Sequence, residues 1–561
     1  MKELVHKYVL ANAVRYNGKA SLGSVIGLIM SRHPYLKSNI KGLSKEINNS
    51  IIKVNSMRPD EQIKELEKIG PELLKEEKKE EKKFLKELPN IKGKVVMRVA
   101  PSPSGPLHIG HAYVFGLTYE YIKKYKGTLI LRIEDTNPEN VYKESYKLIK
   151  EDMDWLTNNN VDKFVIQSSR MENYYKYCKV LLKKCYAYVC TCSGDEFREF
   201  SKDKKECPCR NLESLDQLKR WEKMFKKYKP GEAVVRIKTD MQHENPAMRD
   251  WPAFRINEST HSLTKKKYRV WPLMNFSVAI DDHDLGVTHS IRGKDHMDNE
   301  KRQNYLFDYF KWEKPTHLYV GKINFKGFDL STSETRELIK NKKYLGWNDI
   351  RLPFLQAFKR RGYDNKAFLE FSKDMGLNET DKTVEKEDFF KILNFHNKEI
   401  IDSKAKRFFF VINPVKILVN NAPKQSIELD LHPDNIKGGR KFKTFEEFYL
   451  AKEDYDRIND TKTNRLMDCL NFTKNKSVFN FSSIGYEDYK NSENKGMIMH
   501  YLPKSKDLIK FEVLTPDKIL KGLAENGIKK LKVNEVIQAE RFGFIKLESK
   551  GLCYKFVFSH K

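Results

Sequence analysis

Several things are scarce in this sequence. No run of 18 consecutive apolar residues occurs, so no segment reads as a membrane-spanning helix. The opening stretch, MKELVHKYVLANAVRYNGK, has neither the long apolar core nor the small-residue cleavage site of a signal peptide. Cysteines number eight in 561 residues, too few for a secreted disulfide scaffold. Acids are outnumbered, with 77 Asp+Glu against 105 Lys+Arg and a net charge of +28. These absences leave a soluble, cytoplasmic chain with no membrane partner as the expectation. Its length suits three to five domains, at roughly 100–200 residues each. Apolar residues make up 39%, enough for real cores, which excludes a wholly disordered chain.

The excess positive charge admits two readings. It can steer a polyanion, of which nucleic acid is the commonest inside cells. It can equally be lysine solvating a surface. Composition alone leaves both open, and no internal repeat helps to choose.

Patterning divides the chain. In residues 1–70, Leu4, Tyr8, Ala11 and Val14 recur at helical spacing, predicting a helical extension. Residues 71–94 are charged, with the run Lys78-Lys79-Glu80-Glu81-Lys82-Lys83. They read as a solvated helical linker, with a basic nucleic-acid-contacting helix as the alternative. From 95 to 345 helices and short strands alternate: strand 95–99, a turn-rich loop 100–106, a helix from about 107 to 125, and strand 128–133. This predicts an α/β parallel sheet with a cysteine-containing insertion at about 185–240. Residues 346–406 read as helical, with Phe354, Ala357 and Phe358, and again Ala367, Phe368 and Phe371, at helix spacing. Residues 407–561 carry strand-like runs between turn residues and are expected to be all-β and barrel-like.

One loop carries chemistry. His108-Ile-Gly-His111 sits where a strand's loop feeds a helix. A helix N-terminus offers unpaired N–H groups and partial positive charge to a phosphate. Gly110 allows close approach, and two imidazoles three residues apart share one face and can donate to phosphate oxygens.

The longer stretch Arg98-Val-Ala-Pro-Ser-Pro-Ser-Gly-Pro-Leu-His-Ile-Gly-His-Ala112 resembles the first signature of class I aminoacyl-tRNA synthetases, in the form of the glutamyl enzymes. The likeness continues through Leu131–Pro138, Trp155-Leu156, Gln167–Arg170, Asp281–Asp295, Leu330–Ser333, Leu431–Asp434 and Glu540–Phe544. It covers about residues 95–561. An all-β C-terminal region points to the archaeal/eukaryotic-type branch.

The resemblance implies a multidomain α/β plus all-β fold: a Rossmann-like catalytic core with an insertion that grips the tRNA acceptor end, a helical connecting segment, a β-barrel anticodon-binding region and an N-terminal helical extension. It implies ATP-dependent activation of L-glutamate, with Mg2+, and transfer to tRNA(Glu), by a monomer. Charging of tRNA(Gln) as well stays open, as do a glutaminyl enzyme and a catalytically weak tRNA-binding paralogue.

The implied site follows residue by residue. His108 and His111 match the catalytic histidines; Pro101, Ser102 and Gly110 belong with them in the ATP site. Ser331, Thr332 and Ser333 match the second signature, a mobile loop over the phosphates, with Ser333 among the catalytic residues. The usual catalytic lysine of that signature falls on Glu334, so Lys322 is assigned as the substitute cation, ahead of Arg336 and Lys326. Arg98 matches an arginine that pairs a substrate carboxylate, Glu134 an acid that holds the α-amino group, and Ala100 lines the same pocket. Arg292 matches the arginine that reads the acidic side chain, and Met274 replaces a tyrosine of relatives.

Cys190, Cys192, Cys207 and Cys209 place four thiols within 20 residues, a set that can close a tetrahedral structural zinc site; unmetallated thiols are the alternative. For nucleic acid, Arg440-Lys-Phe-Lys443 and Glu540-Arg-Phe-Gly-Phe544 combine cations with aromatics suited to stacking bases. A basic turn and a core strand are their plain alternatives.

Overall fold

In this computed structural model the described residues are 2–15, 18–33, 35–36, 40–74 and 85–561. The charge run at 78–83 lies outside them. The chain forms two compact units, Met1–Phe84 and Leu85–Lys561.

The first unit contains helices Lys2–Arg15, Leu22–Arg32, Ile40–Asn55 and Pro59–Ile69, then a single turn at Pro71–Leu74. Val5, Val9, Ala13, Val25, Ile29, Ile47 and Leu66 build its core. Of the predicted stripe Tyr8 is buried with them, while Leu4, Ala11 and Val14 are half-buried against this core. Asn12 is buried and accepts the Ser21 backbone N–H at 3.0 Å, and an apolar count does not register an asparagine in a core.

The second unit is built on a five-stranded sheet. Its spatial order is Lys163–Ile166, Thr128–Ile133, Val96–Val99, His289–Gly293, Thr316–Val320, and all four pairings are parallel. Sheets of this kind are covered on both faces, so their strands read as continuous apolar runs. Thr128–Ile133 fits: five of its six residues are buried, and the exception in chemistry is Arg132, fully enclosed among them.

Between Lys163–Ile166 and His289–Gly293 the chain leaves to form a four-stranded antiparallel sheet of Ala187–Cys190, Val234–Ile237, Pro252–Ile256 and Val270–Pro272. This sheet runs well past the 240 boundary expected from the sequence, because its last two strands lack any cysteine to mark them. Helices Leu355–Arg361, Asn365–Met375 and Lys386–Ile401 follow. Asn365–Met375 clamps the signature helix Ile109–Tyr125: Ser372 Oγ donates to the Ala112 carbonyl at 3.2 Å and Tyr113 Oη to that of Gly376 at 2.8 Å. Phe358 is the hub, with Tyr363, Phe368, Phe389 and Phe390 rings 5.2–6.1 Å away.

Residues beyond 406 form two seven-stranded sheets and a long hairpin, interrupted by short helices at Lys452–Asp456 and Tyr486–Asn491. The edge strands of the first sheet, Arg407–Phe408 and Phe410–Ile412, are consecutive pieces of chain split at Phe409. A sheet whose two edges are neighbours in sequence must curl almost closed, giving the near-barrel form.

Both stretches expected to contact nucleic acid are in part built into the β region. Arg440–Lys443 lies within the extended strand Ile436–Thr444, where successive side chains alternate faces. Arg440 and Phe442 point inward and only Lys441 and Lys443 are exposed. Arg440 pairs with Glu525 and Glu540, both at 2.8 Å. In the second stretch Glu540 is thus occupied, Arg541 pairs with Asp454 at 2.8 Å, and Phe544 is core. Phe442 and Phe544 are core side chains of the β region, whereas Phe542 is half-buried.

Phe358→Ala removes the ring at the aromatic hub and is expected to destabilise the second unit by about 3–5 kcal/mol, measured by denaturant unfolding; a loss under about 1 kcal/mol contradicts the packing described.

Candidate active site

The strand order reverses at Val96–Val99, which lies between Thr128–Ile133 and His289–Gly293. It meets the latter only at Met97–His289, so the two strands part toward their carboxyl ends. Open parallel sheets bind ligands in the crevice at such a switch point. A cavity of about 300 Å³ lies there. Of the residues expected from the sequence, Arg98, Ala100, Pro101, Ser102, Gly110, His111, Glu134, Met274 and Arg292 line it.

His108 caps the Ile109–Tyr125 helix and its ring lies 3.8 Å from that of His111. The backbone sets both tautomers. Gly110 N–H donates to His108 Nδ1 at 3.1 Å, and His108 N–H to His111 Nδ1 at 3.3 Å. A ring nitrogen that accepts cannot hold the proton, so each neutral imidazole carries it on Nε2. Burial lowers the pKa of His108 well below its ordinary value and that of His111 to about 4. At neutral pH the pair offers two uncharged N–H donors beside the helix N-terminus.

The cavity wall is charged. Asp282 accepts from Arg132 Nη1 at 2.5 Å and Arg98 Nε at 3.3 Å; Arg132 Nη2 reaches Glu134 Oε1 at 2.9 Å. Burial alone would raise Asp282, but Arg98 and Arg132 outweigh it and hold the carboxyl below its usual range. The adjacent Asp281 faces the other way, to Arg170, Tyr174 and Gln167. Arg292 is different. It is 6% exposed, donates to the neutral Gln303 Oε1 at 3.0 Å, and pairs with no acid among the described residues. Burial and the neighbouring Arg98 lower it to about 10. Three guanidinium groups thus face two carboxylates, and the wall keeps one positive charge. The sequence assigned no role to Asp282, Arg132 or Gln303: Asp282 lies 150 residues from Arg132 and 184 from Arg98, and only Arg132 left a signal, as a cation inside an apolar strand.

The remaining predicted residues, Lys322 and Ser331–Ser333, do not line this cavity; of these, Thr332 meets the first loop. Ser331 Oγ caps the Thr332–Lys340 helix through Glu334 N–H at 3.3 Å, and Thr332 Oγ1 donates to Ser104 Oγ at 3.1 Å. Gly105 permits this approach: a Cβ there would stand 2.8 Å from Thr332 Cγ2. Arg336 is committed to the Ser104 carbonyl at 3.1 Å and to the Tyr142 ring, and Lys326 to Glu385 at 3.0 Å. Lys322 is exposed; its backbone N–H donates to Asp381 at 2.7 Å, and among the described residues its ammonium forms no ion pair. Glu334 is exposed in the first turn of its helix, where a carboxylate suits the helix dipole.

In the insertion, Cys190, Cys192, Cys207 and Cys209 bring all four Sγ atoms within 4.8 Å of one another. The Cys190–Cys207 and Cys192–Cys209 separations are both 3.9 Å. Thr191 directs its N–H and hydroxyl at Cys209 Sγ, each at 3.4 Å.

Neutral buried histidines make stability depend on pH. Burial lowers His317, beside Ser290 at 2.7 Å, from 6.5 to about 3. The unfolded chain takes up its proton below 6.5 and the native state does not, so this stability is present above 6.5 and lost as pH falls toward 3. The fall in unfolding free energy between pH 6.5 and 4 should be shallower in His317→Asn than in the natural chain; equal slopes contradict the assignment.

Comparison with known proteins agrees with this geometry. The catalytic domain of the class I (E and Q) tRNA synthetases matches residues 94–400, and their anti-codon binding domain residues 405–485. The glutamate–tRNA ligase of Methanocaldococcus jannaschii is 43% identical over 558 residues, 98% of each chain. That of Methanothermobacter marburgensis is 40% identical over the whole of both chains. That of Pyrococcus furiosus is 40% identical over 98% of this chain and 97% of its own. The chain belongs to the class I (E and Q) tRNA synthetases.

Proposed function

We propose that this chain is a glutamate–tRNA ligase: it joins L-glutamate to ATP as glutamyl-adenylate, releasing pyrophosphate, and passes the glutamyl group to the 3′ end of tRNA(Glu), releasing AMP. The observation that carries the choice of amino acid is Arg292. The cavity wall holds one uncompensated positive charge (Arg98, Arg132 and Arg292 against Asp282 and Glu134). Glutamate, with two carboxylates and one ammonium, brings one negative charge and neutralises it. Glutamine brings none and leaves a buried guanidinium facing an amide.

In this reading Arg98 takes one substrate carboxylate and Arg292 the other, since a guanidinium fork matches a carboxylate. Glu134, anchored by Arg132, receives the α-amino group. Ala100 and Met274 supply the apolar wall. A glutamate carboxylate oxygen attacks the α-phosphorus of ATP and pyrophosphate leaves. The terminal ribose hydroxyl of tRNA then attacks the adenylate carbonyl and AMP leaves. Neither step needs a protein nucleophile; both need positioning and charge stabilisation. His108 and His111 donate their Nε2–H groups to the phosphates at the positive end of the helix dipole, with Pro101 and Ser102 fixing the nucleotide. ATP enters as its Mg2+ complex. Ser331, Thr332 and Ser333 form the flap over the phosphates, and Lys322 supplies its cation. Its competitors support this assignment by being engaged elsewhere, Lys326 with Glu385 and Arg336 with the first loop. Glu334 serves as a first-turn acid of its helix. We read the enzyme as a cytoplasmic monomer, with tRNA(Gln) the open second acceptor.

The four thiols fit a structural Zn2+. Zn–S bonds of about 2.3 Å in a tetrahedron place sulfurs about 3.8 Å apart, which supports the 3.9 Å separations as a ligand set. Cys190, Cys192, Cys207 and Cys209 would hold the ion and pin the insertion.

Arg292→Gln should raise the glutamate KM roughly 100-fold, as expected for losing a buried charged contact worth about 3 kcal/mol, and should narrow the preference over glutamine; steady-state aminoacylation with each amino acid reads both, and an unchanged preference contradicts the charge argument. For the thiols, metal analysis of purified protein should return one zinc per chain, and Cys209→Ser should lose it with a lower melting temperature; four free thiols and no metal contradict the site.

A further inference from the structure

Arg292 begins a directed chain of amides. Its Nη1 donates to Gln303 Oε1 at 3.0 Å, and Gln303 Nε2 donates to Asn275 Oδ1 at 3.0 Å. Asn275 Nδ2 then donates to Asn299 Oδ1 at 3.1 Å, and Asn299 Nδ2 meets His296 Nδ1 at 2.9 Å. The direction is not arbitrary. A guanidinium has donors only, so Gln303 must turn its oxygen to Arg292 and its nitrogen onward, and every amide downstream inherits that sense. A second donor-only group agrees: Arg302 Nη1 donates to the same Asn299 oxygen at 3.0 Å. Arg302 is itself fixed by the Ala247 carbonyl at 2.8 Å.

The chain therefore delivers an N–H to His296 Nδ1 and leaves the imidazole proton on Nε2. His296 lines the cavity that Arg292 lines, so the relay returns to where it started. The nearest acid to Nε2 is Asp295 Oδ2 at 3.9 Å, beyond hydrogen-bond reach. Burial lowers His296 below its ordinary value, in line with a neutral donor. Gln303 is 1% exposed and does not line the cavity; it can act on a ligand only through the groups it orients.

We propose that Arg292 and His296 form a two-donor clamp for the side-chain carboxylate of glutamate, and that Gln303 is the positioning residue that sets both. The clamp rests on the reading of Arg292 given above and deepens it. A carboxylate presents an acceptor to each donor. The amide of glutamine presents one acceptor and one N–H, so either Arg292 or His296 would face a donor. Selectivity then comes from hydrogen-bond polarity as well as from charge, and the polarity is written in the relay.

The test is steady-state aminoacylation by the full chain carrying Gln303→Glu, Gln303→Leu, His296→Ala or Arg292→Gln, with KM for glutamate, KM for ATP and kcat measured separately. Gln303→Glu keeps the shape, removes the donor to Asn275 and sets a carboxylate on Arg292. It should raise the glutamate KM about 100-fold, and Gln303→Leu and His296→Ala about tenfold each, with the ATP KM and melting temperature within about twofold and 2 °C of the natural chain. The His296→Ala/Gln303→Leu double variant should fall well short of the product of the single effects, because the two residues act in one chain. An unchanged glutamate KM in folded Gln303→Glu and Gln303→Leu, with Arg292→Gln still impaired, overturns the relay and spares the role of Arg292. Equal rises in the glutamate and ATP KM values overturn it too, as the mark of general damage. An unchanged KM in Arg292→Gln overturns the underlying reading.

Discussion

A buried guanidinium with no acidic partner is the constraint on which the catalytic unit depends. Taking such a charge out of water costs several kcal/mol unless something answers it. Among the described residues no acid forms an ion pair with Arg292, whose guanidinium donates to the neutral oxygen of Gln303. The nearest strong acid, Asp282, is already shared by Arg98 and Arg132, and Asp281 turns away to Arg170. The site is thus held one anion short, and what fills the cavity must bring that anion.

Topology makes this arrangement affordable to build from distant pieces. Arg98, Arg132 and Arg292 come from three adjacent strands of one parallel sheet, and the two aspartates from the single helix Met274–Asp284 packed over it. The split between Val96–Val99 and His289–Gly293 opens the crevice between them. At the start of helix Ile109–Tyr125 the backbone N–H groups of His108 and Gly110 fix the histidine tautomers. The second loop reaches this place through Thr332 and Ser104, over a glycine that leaves room for it. Preorganisation of this kind is where enzymes gain most of their electrostatic advantage.

The parts of this design that are local in sequence could be read from it. Strand 95–99, strand 128–133 and the helix after His108 were marked by apolar runs and a loop-to-helix glycine, and the four cysteines by their spacing. What failed was non-local. Asp282 and Gln303 gain their meaning only from partners more than 10 residues away, and Gln303 resembles any helical glutamine until Arg292 is seen beside it. Arg440 and Phe442 looked like a base-stacking patch because composition was weighed without the strand alternation that buries them. The buried pairs do not account for the +28: Arg440 and Arg541 are matched by Glu525, Glu540 and Asp454, so the excess positive charge lies on other residues.

The account stands on the claim that unmatched buried charge selects the amino acid. The most direct measurement is the ratio of kcat/KM for glutamate to that for glutamine, with the natural chain and tRNA(Glu). The uncompensated guanidinium predicts a ratio of about 100 or more, from roughly 3 kcal/mol of lost charged contact; a ratio near one would contradict it.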